Sequence, residues 1–544
     1  MITPGRIPIT LGIVGHRNAD FTEQHENKLI GLFKDIQEKF SSSPVYLFSQ
    51  LAEGADSDVA RVFLDVKRDD DQLIVPIPIE EKRYIISFGE NSPHADTFGK
   101  LKKRAGKYFT LEQPTPGSTD EELFRLGGKF VADSAIILIV LWDGKESNAM
   151  GGTAETYYYK TQGSFEGGGI DTIFEKQSKV VLLPCNRGTG KKQPVLPKGK
   201  LLDVVSRDLG IFKALVRIEQ LNNAANNIRP EKLEKSDNYL FPNKSTLSDA
   251  DRYLLSAYTL TDTLAIENQS IYFKDFNRLF ILGALIVVAF EIYKHLDLTR
   301  VSLGLTLLLL FAALALSKKS KRGKNHSKFI EYRVLAEALR IQFFWNLGDV
   351  KCNVADYILR IYKAEYDWIK LILNAVNGVT YQDGPIKQDF HLVQKHWLDD
   401  QFNYFSSKLD KTATKRKKYN TWSEWSFRLA ILLLIFMLVF HDCLLCLEWL
   451  HPMIVVSGVL LGSFALLKAY VETKGFHQTE NQFTLMKEIY KATGDKITDM
   501  EKSGTATPAA LTELFFQAGK EALIENGNWF LIFKDKEPHL EGVG

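Results

Sequence analysis

Apolar positions along this chain follow two different patterns. Between residues 9 and 183 they form short, β-branched-rich runs at 9–14, 45–48, 73–79, 135–141 and 179–183. Continuous apolar runs of that length predict strands buried on both faces. Helix-like stretches at 22–40, 56–66, 120–132 and 154–162 separate them. Strand alternating with helix implies a Rossmann-like α/β domain, a mostly parallel sheet with helices on both faces. Farther along, apolar residues concentrate in four longer runs, 280–290, 301–316, 429–440 and 453–467. Each strict run is shorter than the ~20 residues that cross a bilayer, and mildly polar flanks bring each close to that length. The runs come in pairs with short connectors, 294–300 and 441–452, which predicts two helical hairpins. An all-α four-span transmembrane region is one reading, and two buried core hairpins of a soluble protein are the other.

Charge at the flanks favours the membrane. Lys318, Lys319, Lys321, Arg322 and Lys324 follow the second run, and Lys415, Arg416, Lys417 and Lys418 precede the third. Positive charge stays on the cytoplasmic side. The N-terminal domain, the central segment and the C-terminus are therefore expected in the cytoplasm of a multi-pass protein of the cell inner membrane, with only the connectors outside. Tyr293, Trp422 and Trp449 lie near span ends, where amphipathic rings prefer the interface. Glu291, His441 and Asp442 lie near outer span ends, where such groups either line a pore or reach the headgroups. Cys443 and Cys446 form a C-x-x-C without a second ligand pair or a βαβ setting, which predicts apolar packing. The chain then divides into the α/β domain (1–205), a helical linker (206–276), a first hairpin (277–317), a helical cytoplasmic segment (318–426), a second hairpin (427–470) and a helical C-terminal segment (471–544). Trp345, Trp368 and Trp397 give the central segment the aromatic character of surfaces that pack against partner subunits.

Composition narrows the function classes. With 68 Lys+Arg against 66 Asp+Glu in 544 residues, the formal charge is +2. That argues against a nucleic-acid partner held by bulk charge and puts function in local sites. Four cysteines are too few for a disulfide scaffold and fit a reducing compartment. The short polar stretch before the first strand predicts no cleavable signal.

In open α/β sheets the ligand sits outside the carboxyl ends of the strands. Gly15, His16 and Arg17 end the first strand, and Ser49, Glu53, Gly54 and Asp56 follow the second. Trp142 and Asp143 follow the fourth, and Gly151, Gly152, Thr153 and Glu155 open the next helix. Glycines ahead of a helix admit a phosphate to backbone N–H groups at its positive end. Arg17 suits bidentate bonding to phosphate, and Glu53, Asp56 or Glu155 suit ribose hydroxyls. Taken together these residues predict a nucleotide-like site with no metal and no resident cofactor. Taken singly, a glycine pair is turn chemistry and His16 a structural or solvent-facing histidine. The Gly188-Thr189-Gly190-Lys191-Lys192 stretch looks like a P-loop, but Cys185 stands where its first glycine belongs and Lys192 where Ser or Thr binds Mg²⁺. Gly12-Ile13-Val14-Gly15 lacks the third glycine of a dinucleotide fingerprint. Neither a Walker ATPase nor an ordinary NAD-dependent dehydrogenase is expected.

The strand-end set Gly15-His16-Arg17, Leu51-Ala52-Glu53-Gly54-Ala55-Asp56, Trp142-Asp143-Gly144 and Gly151-Gly152-Thr153-Ala154-Glu155 resembles the SLOG superfamily over about residues 5–200. These are Rossmann-like domains that bind nucleotides or nucleotide-derived signals. LOG-type phosphoribohydrolases among them carry P-G-G-x-G-T-x-x-E. Here Met150 replaces the proline and the internal glycine is missing, which implies binding rather than hydrolysis. YRVLAEALR at 332–340 and ALIENGNW at 522–529 are similar to segments of SLATT-like bacterial membrane effectors, which accompany nucleotide sensors in antiphage conflict systems. Four spans in one chain make too narrow a bundle for a conducting path, so a homo-oligomer is expected. The resemblance implies a sensor of a cyclic or NAD-derived nucleotide messenger. Its membrane part would form a pore or disrupt the bilayer, as in abortive infection. Two other readings stay open. One is a membrane-anchored hydrolase, LOG-like or NAD-consuming, with Glu155 catalytic and Arg17 on the phosphate; the other is an oligomerisation module with a vestigial pocket. Arg333, Glu337 and Arg340, at helical spacings, predict a solvated ion-pair face.

Overall fold

Six strands pair side by side in parallel: β1 (Ile9–Gly15), β2 (Val45–Phe48), β3 (Gln72–Ile77), β4 (Lys107–Thr110), β5 (Ile137–Trp142) and β6 (Lys179–Pro184). The computed structural model describes residues 5–89, 92–111, 117–145, 150–162, 179–188, 209–295, 299–358, 367–382 and 389–534. Residues 189–192 of the P-loop-like stretch and 296–298 of the first connector lie outside these. The sheet order is β4-β3-β2-β1-β5-β6. The chain steps outward from β1 to β4, then returns to β5 on the other side of β1, so the winding direction reverses between β1 and β5. Helices α1 (Glu23–Lys39), α2 (Ala55–Val66), α3 (Glu81–Ile86), α4 (His94–Lys103), α5 (Asp120–Ser134) and α6 (Thr153–Gln162) make the connections. All five expected strands are present, and their continuous apolar runs are buried throughout β2, β3 and β5. The sequence pattern did not reveal β4, α3 or α4. In β4 only Phe109 is fully buried, so an edge strand of four residues shows no continuous apolar run.

Packing divides the chain into two compact units, residues 1–261 with 335–388, and residues 262–334 with 389–544. In the first, the sheet is joined by α7 (Leu209–Ala225), α8 (Pro230–Leu240) and the first turns of α9 (Asp249–His295). From α7, the fully buried Asn222 clamps the entry to β1. Its side chain accepts from Ile7 N (2.9 Å) and donates to Ile7 O (2.7 Å) and Ser43 Oγ (2.9 Å). After α10 (Thr299–Gly323), the later turns of α11 (Asn325–Leu347) and all of α12 (Asp367–Thr380) also belong to this unit. Helix α12 packs on α5 and α7. Beyond it, Tyr381 stacks on Phe109 at 4.9 Å, and Lys107 Nζ donates to Val379 O at 2.7 Å, so this segment covers the exposed edge of β4. Two expectations are corrected here. Glu337 and Arg340 form an ion pair that is buried, 8% and 6% exposed, because their turn of α11 lies inside the unit. Trp345 and Trp368 are likewise buried within the chain, not displayed to a partner subunit.

The second unit is helical: the remainder of α9, α10, the start of α11, and then α13 (Phe390–Val393), α14 (Asp400–Val439), α15 (His441–Cys446), α16 (Leu450–Lys474), α17 (Phe476–Lys502) and α18 (Pro508–Phe533). Among the described residues, four helices are long and apolar enough to cross a membrane, one in each of the stretches predicted from hydropathy. Only 11–22% of each apolar window is buried within the chain. Leu308 (65% exposed), Phe311 (69%) and Leu438 (81%) leave side chains uncovered that a soluble core hairpin would enclose. Span packing follows a four-residue step between α9 and α16. A Cβ on Gly458 would lie 2.6 Å from the Glu291 carboxylate, one on Gly462 2.6 Å from Val287 Cγ1, and one on Gly283 3.7 Å from Leu466 Cδ2. Ser426 Oγ on α14 donates to Leu460 O on α16 at 2.8 Å, a polar contact that costs nothing in hydrocarbon because both groups are satisfied. Beyond the spans, Trp397, Phe405, Tyr490 and Phe515 form an aromatic core, so Trp397 is internal as well. The second connector is helical over α15, and Pro452 falls in the first turn of α16, where its missing N–H has no helical partner to lose. Cys443 and Cys446 are exposed and not packed, since only Leu444 of α15 turns inward.

Candidate functional site

The reversal between β1 and β5 fixes where a ligand crevice belongs, at the carboxyl ends of these two strands. There the backbone places His16 just past β1 and Asp143 just past β5. Both are buried, at 7% and 3% exposed. His16 Nε2 lies 3.0 Å from Asp143 Oδ1. A third residue joins them from beyond β6: Arg187 Nε lies 3.3 Å from His16 Nε2 and 3.4 Å from Asp143 Oδ2. Burial pushes the His16 imidazole below its ordinary range, outweighing the pull of the Asp143 carboxylate. Burial alone would raise Asp143. The Lys145 N–H, His16 and Arg187 reverse that and hold it below the usual carboxylate range. At neutral pH the cluster is thus a neutral imidazole between a buried carboxylate and an exposed guanidinium.

Gly15, Gly54 and Gly151, among the glycines expected to admit phosphate, are used for close packing. A Cβ on Gly15 would meet Ala55 Cβ at 2.3 Å, and one on Gly54, with φ +84°, would meet Arg17 O at 1.9 Å. The loops after β1 and β2 therefore interlock. Ala55 N donates to His16 O at 3.2 Å across the same contact. Ser49 serves this loop too, its Oγ accepting from Leu51 N (3.1 Å) and donating to Asp56 O (3.1 Å). Asp56, in the first turn of α2, is 6% exposed. Burial pushes its pKa up to about 7 against the pull of the nearby Gly15 N–H and of the Arg17 charge. Nearby, the Tyr84 hydroxyl and Gln50 Nε2 are buried with no hydrogen-bond partner among the described residues. Burial, with the Asp56 charge, drives the Tyr84 pKa upward.

A carboxyl raised by folding binds its proton more tightly in the native state than in the unfolded chain. The Asp56 contribution to stability is therefore greatest at or below the ordinary carboxylate range and declines as pH rises towards about 7. Asp56→Asn removes this slope. Relative to wild type, the variant is expected to gain up to about 4 kcal/mol between roughly pH 4 and pH 7. Denaturant unfolding of the full chain at successive pH values measures the difference. Parallel pH profiles for the two proteins would refute the assignment.

The remaining predicted residues separate into engaged and open ones. Glu155 accepts from Gly151 N at 2.6 Å and pairs with Arg125 Nε at 2.9 Å, so it staples the start of α6 to α5. Gly151 has φ +75° and is pressed against the Phe124–Arg125 backbone. Trp142 is 1% exposed and packs against Tyr157 at 5.1 Å, a core residue with its indole N–H on Lys145 O. Arg17 is exposed, lies over the Phe124 ring at 5.3 Å and donates to Ser87 O at 3.3 Å. Glu53, Gly152 and Thr153 are half-buried; the Gly152 carbonyl accepts from Thr156 N (3.1 Å). A surface cleft of 540 Å³ adjoins the Arg187 segment through Gly188 and lies beside the α1 start, lined by Asn18, Asp20, Glu23, Glu26, Asp58 and Arg61 among others. Its four carboxylates face one arginine, already paired with Glu26 at 3.2 Å, so the cleft disfavours phosphate. Arg187, Gln50 and Tyr84 escaped the sequence reading. Arg187 and Tyr84 lie outside the strand-end motifs, and only Gln50, beside Ser49, sat within a motif already in view. Among the described residues, no three His, Cys, Asp or Glu side chains gather as metal ligands. No protein-family profile matches the chain, and no curated protein is similar enough to count as a relative.

Proposed function

We propose that the chain is a membrane effector controlled by a small nucleotide-derived ligand, bound at the carboxyl edge of the sheet between β1 and β5. The observation that carries this is the reversal point itself, where the Arg187 guanidinium is held by Asp143 and His16 on a doubly wound parallel sheet. Two buried polar groups at the same edge, Tyr84 and Gln50, support it. A buried unpaired donor costs about 1–3 kcal/mol unless a ligand or water satisfies it. Glu155 is committed to Gly151 and Arg125, which supports binding over hydrolysis. The four apolar helices supply the membrane part, and the lysine clusters flanking them support an inner-membrane placement with the sheet on the cytoplasmic side. The antiphage role and the choice of a cyclic or NAD-derived messenger rest on the residue resemblance to SLOG and SLATT-like proteins. A ligand shifts the membrane part only through a difference in affinity between resting and active states, and assembly of several copies around a conducting path is one way to create that difference.

The test uses the full chain in dye-loaded liposomes. Cyclic nucleotides, NAD-derived molecules and nucleoside monophosphates are added singly, and retained and converted compound are both counted by mass spectrometry. One compound is expected to be retained intact and to release dye. Conversion of that compound would make the protein an enzyme with a membrane anchor. Retention of none would leave the strand-end cluster a structural feature.

A further inference from the structure

The residues after β6 make an unusual crossing. Cys185 N donates to Trp142 O at 3.0 Å, Asp20 N to Asn186 O at 3.0 Å, and Gly188 N to Asn18 O at 2.7 Å, while Arg187 and Ala19 form an antiparallel bridge. Segment 185–188 thus runs from β6 past the end of β5 and pairs with the chain that leaves β1. It holds Arg187 over the point where the sheet reverses. The two anchors of its Nε are almost wholly buried, whereas the Arg187 side chain is 51% exposed. Asp143 requires a cation, because a buried carboxylate without one is strongly unfavourable. Arg187 meets that need through Nε alone. Its Nη1 and Nη2 have no hydrogen-bond partner among the described residues. The result is a guanidinium locked in orientation from behind, with its two terminal amino groups presented to solvent.

We infer that Arg187 is the anion-recognising residue of this site and that it takes a phosphate, mono- or diester, of the bound ligand through its two terminal amino groups. This rests on the nucleotide reading above and adds which group of the ligand is read, and by which residue. A fork of two parallel N–H donors matches two oxygens of one phosphate, a geometry lysine cannot reproduce. Pre-orientation by buried partners removes most of the entropy that a free arginine would lose on binding. Arg17 is the obvious competitor from sequence, but it lies over Phe124 and donates to the Ser87 carbonyl. The neighbouring acidic cleft disfavours the same phosphate on its side.

The experiment titrates 5′-AMP, inorganic pyrophosphate and adenosine into the full chain in detergent, followed by calorimetry, for wild type, Arg187→Gln and Arg187→Lys. Wild type is expected to take at least one phosphate probe and to prefer AMP to adenosine. Arg187→Gln should lose tenfold or more in affinity for the phosphate probes and lose the preference for AMP. Arg187→Lys keeps the charge opposite Asp143, and so guards against misfolding; it should retain only part of the affinity. Equal affinity of wild type and both variants for AMP would overturn the inference. So would equal affinity of wild type for AMP and adenosine, and either result leaves the nucleotide reading standing. Failure of wild type to take any of the three probes would count against both.

Discussion

Gly54→Ala is expected to unfold the α/β unit under conditions in which wild type is stable. Gly54 has φ +84° and ψ −126°, a conformation closed to L side chains, and an added Cβ would sit 1.9 Å from the Arg17 carbonyl oxygen. Relief by side-chain rotation is impossible, because the obstacle is backbone. Strain of that kind costs about 1–3 kcal/mol, and overpacking adds a further ~1–3 kcal/mol. The sum, about 2–6 kcal/mol, reaches the low end of the stability of an ordinary domain, about 5–15 kcal/mol. The measurement is denaturant unfolding of the full chain followed by tryptophan fluorescence, since Trp142 and Trp345 are buried in this unit. Gly31→Ala, in α1 with nothing within 4 Å of the new methyl, is the control and should be neutral or slightly stabilising. Similar midpoints for the two variants would mean that the interlock between the loops after β1 and β2 is not what it looks like. Loss of the interlock also displaces His16 and Asp56, which flank it.

In the membrane unit the largest effect is expected from Gly458→Leu. Its Cβ would lie 2.6 Å from the Glu291 carboxylate carbon, and the rest of the side chain would fill the groove that α9 occupies. Spans associate through close backbone approach at small residues, since lipid offers no hydrophobic force between them. Pushing α9 away from α16 forfeits contacts along three further steps, Val287–Gly462, Gly283–Leu466 and the Phe280–Tyr470 ring pair at 5.1 Å. A loss of about 1–3 kcal/mol is expected, read as earlier loss of helical signal in thermal unfolding in detergent. Gly304→Leu on α10, where nothing lies within 4 Å, should change nothing. An equal effect at both positions would mean that the α9–α16 contact does not hold the bundle. Gly458→Ala should fall between, because the atoms it meets are the movable end of Glu291.

The α/β fold was legible in the residues because each of its strands but one is a run buried on both faces. Val45–Phe48 and Ile137–Trp142 need no partner to be recognised. The exception, β4, depends on others: its edge is covered by Tyr381, which arrives from 272 residues farther along. The apolar spans were legible because bilayer thickness sets a length that composition reveals directly. Among the candidate site residues, position was readable and employment was not. Gly15 and Gly54 were recognised as strand-end glycines, yet whether the space beside them admits a phosphate or Ala55 and the Arg17 carbonyl depends on how two loops meet. Glu155 stood at the right place in a catalytic-looking motif, and its neighbour Arg125 engages it. The buried Glu337–Arg340 pair had the spacing of a solvated face, and only the packing around α11 tells the two apart.

Local patterning suffices for the parallel α/β class of the N-terminal region, the four apolar helices and the positions of the strand ends. These follow from periodicity and run length, which are properties of neighbouring residues. The tertiary structure decided what those ends contain. His16, Asp143 and Arg187 lie 127 and 171 positions apart along the chain, and no local pattern couples them. They meet because parallel winding brings the carboxyl ends of β1, β5 and β6 side by side, and a buried carboxylate there must find its cation in whatever segment the fold delivers.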